Sequence, residues 1–347
     1  MASLLEIGYN ATQSGGREDL SDLISNVDAK STVFTSMARK GKKPGNAVMG
    51  WQMDFYESAT ADTAVVDGTD VDMTSSGDGA RENPAQNRVL MQNYVQIFRR
   101  HFRISSLANE IQIVAGIKSE LANGIAKKLV ELKRDMELTF LNDYDARADN
   151  GTLSYRTKAM GSFLHVTGGG SPFSIPGDEF LCTARTAAIA DEVTESIVQT
   201  LLGTLFDTTG TIRDYDLVLG SALKRTFTSF TQSATGTDVS GRERLAIKTF
   251  GQAASERSFI NVIDVFEGDF GRLRLHPSTF IAEEGSAVTF KGYAIPFDKV
   301  EIRYGKLPQI KELTDNGGGP ARLLEAVAAL VVDNPAGFGY FDCASAS

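Results

Sequence analysis

Cysteine and histidine are both scarce in this chain of 347 residues. The two cysteines, Cys182 and Cys343, are distant in the sequence and could pair only if the fold brought them together, so we interpret them as small unpaired hydrophobic side chains. The three histidines are His101, His165 and His276, and none has a cysteine or carboxylate partner at a metal-ligand spacing. The sequence therefore predicts no metal site.

Long apolar runs and secretion signals are missing as well. No stretch of about 18 apolar residues is present, so we expect no membrane-spanning helix. Residues 1–8 lack the basic and apolar regions of a signal peptide, which favours a cytosolic origin. The formal net charge of −9 argues against a sequence-independent nucleic-acid binder, which would carry a basic surface. Proline is also rare, at nine residues, so a proline-rich linker is excluded.

Catalytic motifs are absent too. The chain has neither the Gly-x-x-x-x-Gly-Lys-Ser/Thr phosphate loop nor the Gly-x-Ser-x-Gly nucleophile elbow. The glycine run 168–170 precedes a Ser-Pro pair rather than a helix, so we interpret it as a loop. Asp67, Asp70 and Asp72 alternate as in a calcium loop, but no glutamate follows at the twelfth position, and a solvated hairpin tip is favoured over weak calcium binding. We therefore predict no catalytic residue and no cofactor.

What is present indicates a folded protein of mixed secondary structure. With 42% hydrophobic and 23% charged residues, the composition is that of ordinary globular chains. The length suits two domains, or one domain with long excursions. Helical and strand periodicities both occur and no internal repeat is visible, so we predict an α+β fold.

The first 48 residues are polar and predict an arm. A short amphipathic helix is expected from about Glu18 to Val27. A basic cluster follows near the end of this segment and consists of Arg39, Lys40, Lys42 and Lys43. Four charges on a flexible arm could contact DNA phosphates or an acidic protein surface, but they do not suffice to recognise a base sequence.

Residues 49–104 predict a long β-hairpin. Trp51, Met53 and Phe55 alternate with polar residues, and a second strand-rich segment covers 88–104. The segment between them is rich in Ser, Thr, Ala, Asp and Gly. Because an isolated hairpin is marginal in water, we expect this one to lie on another surface, such as a neighbouring subunit.

The clearest helical periodicity covers residues 113–145. Apolar side chains recur there at nearly every fourth position, which places one apolar stripe along a single helix. They are Ile113, Ile117, Leu121, Ile125, Leu129, Leu132, Met136 and Phe140. The spacing lacks the alternation of threes and fours of a coiled coil, so we expect a helix of about 50 Å that lies across a sheet.

The rest of the chain mixes helix and strand patterns. Residues 150–178 are rich in Gly and Ser and predict a loop, while 321–332 fit either a helix or a strand and their β-branched valines favour a strand. Helices are predicted around residues 193–205 and 223–230, and further strands at 215–219, 259–266, 273–276 and from 299 onward.

This order of segments, together with several local matches, resembles the major capsid (major head) proteins of tailed bacteriophages with the Hong Kong 97-like fold. The matching stretches are 17–56, at the arm and first hairpin strand; 215–230, at a strand and helix; 264–271, at an aromatic–acidic–Phe–Gly turn; and 306–336, at the closing segment. The arm departs from the family pattern, since it lacks the prolines usual near Ala29 and Val33.

The resemblance implies a domain organisation and a function. The expected parts are an N-terminal arm, 1–48; an E-loop hairpin, 49–104; a P-domain, 105–190, with its spine helix at 113–145; an A-domain, 191–298; and returning P-domain strands, 299–347.

The implied protein is not an enzyme and assembles, in the host cytoplasm, into pentamers and hexamers of an icosahedral head around double-stranded DNA. Implied partners are further copies, a portal, a separate scaffold, possibly a cement protein, and DNA without sequence-specific contact, but no membrane. The alternatives are another phage structural protein, of the tail or a cement protein, or an α/β small-molecule-binding enzyme.

The hairpin is acidic where the arm is basic. Between residues 51 and 80 every charged side chain is Asp or Glu. We therefore predict inter-subunit contacts that join Arg39, Lys40, Lys42 and Lys43 to Asp62, Asp67, Asp70 and Asp72, which would steer assembly and set register more than they add affinity. Two unrelated solvated charge runs are the alternative. No lysine occurs between residues 44 and 117, so the hairpin lacks the nucleophile for the Lys–Asn isopeptide bond that some members of the family form.

Overall fold

The computed structural model describes most of the chain from residue 32 onward, with gaps. The described residues are 32–56, 59, 61, 64–70, 88–107, 119–165, 169–170, 172–189, 192–230, 250–253, 256–259, 264–282, 291–315 and 317–343. The helix predicted at 18–27 lies outside them, as do Asp62 and Asp72.

Helices and strands alternate irregularly along the chain. The α-helices are α1, Val33–Met37; α2, Glu120–Leu141; α3, Met160–Phe163; α4, Glu195–Thr209; and α5, Ser221–Ser229. The strands are β1, Arg39–Lys40; β2, Val48–Met53; β3, Val89–Tyr94; β4, Gln96–Arg103; β5, Ala184–Thr186; β6, Arg213–Leu219; β7, Phe250–Ala253; β8, Glu256–Phe259; β9, Val265–Gly268; β10, Gly271–Pro277; β11, Gly292–Ile295; β12, Val300–Leu313; β13, Ala321–Val332; and β14, Gly339–Phe341. Short 3₁₀ turns occupy Asp178–Phe180, Phe280–Ala282, Phe297–Lys299 and Pro335–Gly337.

A four-stranded sheet carries the long helix α2. Its strand order is β1–β12–β13–β4, with β1 parallel to β12 and the other pairs antiparallel. The register between β12 and β13 shifts around Lys306 and again before Gln309, next to Pro308, which has no N–H to donate. The valine-rich segment 321–332 is therefore a strand, as its β-branched residues predict.

The second large sheet is mixed and has six strands. Its order is β5–β14–β11–β6–β10–β9, and β6 is parallel to β10 but antiparallel to β11. Helices α4 and α5 cover this sheet and bury Leu202, Leu205 and Phe227 completely. The predicted helices near 193–205 and 223–230 and the strand at 215–219 are confirmed, with small changes at their ends.

Helix α2 is shorter than the predicted span of 113–145. Ser119 is extended and its hydroxyl accepts a hydrogen bond from Ala122 N at 3.4 Å, so the helix begins at Glu120. At the other end Asn142 is extended, which stops the helix after 22 residues, about 33 Å. Residues 108–118 lie outside the described chain. The expected packing on a sheet is present, since Phe140 contacts Phe98 of β4 with a centroid distance of 5.9 Å.

The hairpin prediction is correct for β2 and β3 but not for the rest of 88–104. Strands β2 and β3 pair antiparallel from Val48 opposite Tyr94 to Met53 opposite Val89. After Val95 the chain enters β4, which pairs with β13 instead. The base of the hairpin is buried in its own chain, and the indole N–H of Trp51 donates to Val332 O at 3.2 Å. This part of the hairpin therefore needs no neighbouring subunit to cover it.

The end of the predicted arm is also docked on the body. Phe34 of α1 is fully buried and packs against Phe140 and Phe297, at centroid distances of 6.4 and 5.8 Å. The Glu137 carboxylate accepts hydrogen bonds from the backbone N–H groups of Phe34 and Thr35, each at 2.7 Å. Two of the free N–H groups at the start of α1 are thus satisfied by a side chain of α2.

The Gly- and Ser-rich segment 150–178 is less open than a loop prediction suggests. It contains α3, whose residues Met160 and Phe163 are completely buried. Among the helices of the described residues, none is long and apolar enough to cross a membrane.

Candidate functional site

The basic cluster of the arm lies at one edge of the four-stranded sheet. Arg39 already has partners in its own chain: its guanidinium donates to Asp298 O and pairs with Glu301 at 3.3 Å. Lys40, Lys42 and Lys43 are exposed, and none of them forms an ion pair with another residue of the described chain. Three of the four predicted contact cations are therefore available to a partner.

The acidic residues of the hairpin are separate from this cluster. Asp67 and Asp70 are exposed, as is every residue from 64 to 70. Within the described part of one chain, neither aspartate forms a salt bridge to the basic cluster. Among the described residues, one chain thus joins neither Asp67 nor Asp70 to the basic cluster, and the pairing between copies remains a prediction.

A second cationic surface lies on the four-stranded sheet, on the face opposite α2. Strand β4 alternates, so that Phe98 and Phe102 point to the helix while Ile97, Arg99, His101 and Arg103 point away from it. Strand β13 lies between β4 and β12, and residues opposite each other on neighbouring strands share a face of the sheet. Lys306 of β12 and Ile97 of β4 both lie opposite Val327. Lys311 and His101 likewise both lie opposite Leu323, so Lys306 and Lys311 are on the same face as Ile97 and His101. We call this surface the outer basic face; it consists of Ile97, Arg99, His101, Arg103, Lys306, Lys311 and Glu325.

Of the seven residues named for this face, one is a carboxylate. Glu325 accepts hydrogen bonds from Arg99 Nε and from Lys306 Nζ, both at 2.8 Å. These contacts, with Lys306 the strongest, hold the pKa of Glu325 below its usual value. This surface is not evident from the sequence, because its cations come from strands that are far apart in the chain. The sequence signal for this surface was a basic run in β4, which consists of Arg99, Arg100, His101 and Arg103.

The buried ionisable groups stabilise the body of the protein. Glu137, which holds α1, has a pKa raised by burial, partly offset by the N–H groups that it accepts. Lys158 is fully buried, donates from Nζ to Phe173 O at 2.8 Å and lies over the Phe163 ring. Burial lowers its pKa to about 8, and the negative charge of Asp145 opposes that shift.

A polar cavity of about 580 Å³ lies beside α3, and its carboxylates are already engaged. Asp143 pairs with Lys291, and Asp342 pairs with Arg185 at 2.9 Å. Asp145 accepts a hydrogen bond from Gly170 N at 2.9 Å. These contacts hold together the loops around the cavity.

The scarce residue types, cysteine and histidine, occupy structural positions. Cys182 and Cys343 are buried and unpaired, as predicted, and burial raises the pKa of each thiol to about 12. His276 contacts Asp216 at 2.9 Å across β10 and β6. The described residues contain no group of three or more His, Cys, Asp or Glu that could hold a metal ion.

Solved structures similar to this chain include chains of phages and phage capsids. One is a chain of Mycobacterium phage Adephagia, with a TM-score of 0.52, 14% identity and coverage of 99% of both chains. The capsid of cyanophage P-SCSP1u aligns with a TM-score of 0.54 and 9% identity over 98% of each chain. The capsid of Myoviridae phage XM1 aligns with a TM-score of 0.52 and 10% identity over 96% of this chain and all of the other. The fold is thus a mixed helix-and-sheet fold of phage capsid chains.

The sequence itself places the chain within one family of that class. The model of the SU10 major capsid protein family matches residues 7–343, and no match was found among curated protein sequences. The chain therefore belongs to the SU10 major capsid protein family. It is a phage major capsid protein, a structural component of the virion, and the resemblance to phage major head proteins is confirmed.

Proposed function

We propose that this major capsid protein assembles into pentamers and hexamers of an icosahedral head that encloses double-stranded DNA. The observation that supports this most is the family match, which spans nearly the whole chain, from residue 7 to 343. Membership of a capsid family implies self-assembly into a shell. The capsomer types and the icosahedral symmetry are what we propose beyond it.

The surface of the chain supports repeated self-association. Large apolar side chains are exposed on the hairpin, with Val65 at 72% and Val66 at 78% exposure and Tyr56 fully exposed. Leu107, beyond β4, is 71% exposed. Contacts between copies would remove such side chains from water, which stabilises association by about 25 cal/mol per Å² of buried apolar area.

We also propose the Hong Kong 97-like organisation for this chain. Residues 1–48 would act as the arm, 49–104 as the E-loop, 105–190 with 299–347 as the P-domain, and 191–298 as the A-domain. The two sheets agree with this division in part, since β12 and β13 share one sheet and β6, β9, β10 and β11 share the other. They depart from it at β4 of the E-loop range, which lies in the first sheet, and at β5 and β14 of the P-domain ranges, which lie in the second. In such a shell the two sheets would form the rigid body, and the hairpin tip would adapt to different neighbours.

The proposed partners follow from the same function. They are further copies of this chain, a portal, a separate scaffold, possibly a cement protein, and packaged DNA without sequence-specific contact. Assembly would take place in the host cytoplasm. We propose no catalytic role, since a structural capsid family indicates a non-enzymatic protein.

Sedimentation and negative-stain microscopy of the purified protein test this function. We expect capsomers, shells or tubes of hundreds of kilodaltons or more. A well-folded monomer of 37.4 kDa at high protein concentration, with or without a co-expressed scaffold, would contradict the proposal.

A further inference from the structure

The turn between Arg147 and Arg156 carries an Asn-Gly pair that the proposed function does not involve. The two arginines close the turn, because Arg147 N donates to Arg156 O and Arg156 N donates to Arg147 O, both at 3.0 Å. Residues 148–154 between them are all exposed. At the tip, Asn150 N donates to Leu153 O at 3.1 Å, so hydrogen bonds fix the backbone of this turn.

The Asn-Gly pair places a nucleophile next to an electrophile. The backbone nitrogen of Gly151 can attack Cγ of the Asn150 side chain, and this reaction is one reason why asparagine is a thermolabile residue type. Gly151 has a φ of +82°, and nothing in the described chain lies within 4 Å of the place of an added Cβ. No neighbouring side chain therefore hinders the attack at this position of the described turn.

Two backbone N–H groups point at the amide oxygen of Asn150. Thr152 N donates to Asn150 Oδ1 at 3.1 Å, and Leu153 N donates to the same oxygen at 2.7 Å. Attack on the amide turns this oxygen into an oxyanion, and donors at such distances stabilise the developing charge, as they do in an oxyanion hole. The turn thus polarises the amide toward attack.

A carboxylate lies at the proton of the nucleophile. Gly151 N donates to Asp149 Oδ1 at 2.8 Å, a distance within the reach of general-base catalysis. A backbone amide is a poor nucleophile until it loses its proton, and Asp149 is placed to accept that proton during the attack. Base, electrophile and nucleophile are therefore three consecutive residues of one exposed turn.

We propose that Asn150 is a site of spontaneous deamidation that the turn promotes. The Gly151 nitrogen forms a bond to Asn150 Cγ and passes its proton to Asp149. The bond between Cγ and the amide nitrogen then breaks, and that nitrogen leaves as ammonia with the proton. Water opens the resulting succinimide ring, which leaves an aspartyl or isoaspartyl residue at position 150 and adds one negative charge to the chain.

A second Asn-Gly pair in the chain provides an internal control. Asn123 and Gly124 lie inside α2, where backbone N–H groups are engaged in helical hydrogen bonds. In a helix the side chain leans toward the N-terminus, away from the nitrogen of the next residue. Phe102 also packs against Gly124, since an added Cβ would be 2.6 Å from its ring. We therefore expect Asn123 to be protected from deamidation.

Peptide mapping of the stored protein tests the proposal. Trypsin places the three Asn-Gly pairs of the chain in separate peptides, 119–127, 148–156 and 312–322, and mass spectrometry detects the replacement of an amide by an acid. In the folded chain at neutral pH, we expect Asn150 to convert at least about tenfold faster than Asn123. It should also convert faster than in the synthetic peptide 148–156. A rate no higher than in that peptide, or no higher than that of Asn123, would overturn the proposal.

The variant Asp149→Asn tests the proton acceptor. It keeps an oxygen that can accept the Gly151 N–H but removes the base, so we expect the conversion of Asn150 to slow by about tenfold or more. The matched control Asp207→Asn, at an exposed position of α4, should convert at the wild-type rate. An unchanged rate in Asp149→Asn would refute the assigned base. Misfolding would be recognised by faster conversion of Asn123, and no result depends on shell assembly.

Discussion

Lys158 shows how a single buried charge is accommodated in this protein. Its ammonium group is enclosed by the Phe163 ring, the Phe173 carbonyl and the charge of Asp145. Nearby, the buried Asn93 side chain donates to Leu330 O at 2.7 Å and accepts from Lys158 N at 2.7 Å. Residues of β3, β13 and the segment before α3 are thus joined by polar contacts inside an otherwise apolar core.

We expect the Lys158 charge to make stability depend on pH. The pKa is about 8 in the folded protein and near 10.5 for a solvated lysine, so the unfolded chain binds more protons between these values. The contribution of Lys158 to the free energy of unfolding therefore rises from about pH 8 to pH 10.5. In Lys158→Met this rise should be absent, as measured by urea unfolding at several pH values.

The control for this measurement is Lys42→Met, which removes an exposed lysine. It should keep the pH dependence of the wild type. An equal slope of unfolding free energy against pH for the wild type and for Lys158→Met would contradict the assignment.

Gly319 has a position that only glycine fits. Its φ is +97°, and an added Cβ would lie 2.2 Å from Ile104 O. Gly319→Ala should lower the free energy of unfolding by more than the roughly 1–3 kcal/mol of backbone strain alone. Gly317→Ala is the matched control, because Gly317 has φ +88° but open space around it. Urea denaturation that finds the two variants equally stable would exclude the steric contribution.

At the scale of elements, the connection between α1 and α2 depends on Glu137. The carboxylate accepts two backbone N–H groups, whereas a glutamine amide has only one oxygen to accept them. We expect Glu137→Gln to lower the free energy of unfolding by about 1–3 kcal/mol and to speed hydrogen exchange of the Phe34 and Thr35 amides.

Glu131→Gln on the same helix is the control for that experiment. Glu131 pairs with Lys128 at a partly exposed site, so its loss should cost no more than about 1 kcal/mol. Unchanged exchange at Phe34 in Glu137→Gln would show that α1 is held by the burial of its phenylalanine alone.

For the whole molecule, we expect a shell held without covalent links between subunits. The hairpin has no lysine, since none occurs between residues 44 and 117, and the buried Cys182 and Cys343 have thiols whose pKa is about 12. Boiled particles should therefore give one monomer band on a denaturing gel, with or without reductant. A ladder of multimers that survives reductant would refute this.

The same particles should respond to ionic strength. Contacts between exposed charges weaken when salt is added, because the screening length falls from about 10 Å at 0.1 M to about 3 Å at 1 M. We expect raised salt to increase the fraction of free subunits after dilution, as measured by sedimentation. Particles whose stability is independent of salt would count against charge pairing between copies.

Local patterns in the sequence predicted several elements of the fold and the class of this protein. Alternation at Trp51, Met53 and Phe55 predicted β2 and its buried side, although β2 ends at Met53, and spacing by fours predicted the part of α2 that packs on the sheet. The order of segments and the short matches indicated a phage major capsid protein, and the family match confirms it. These properties depend on residues that are close in the sequence, so the sequence alone shows them.

The tertiary structure alone decided which strands pair and which charges share a surface. Val95 separates β3 from β4 because β13, more than 200 residues later, offers β4 a partner that no local pattern shows. The outer basic face arises from the same pairing, which brings Arg103 of β4 and Lys311 of β12 to one side of a sheet. Long-range pairing places distant residues side by side, and this is why composition showed an acidic chain where the fold presents a basic face.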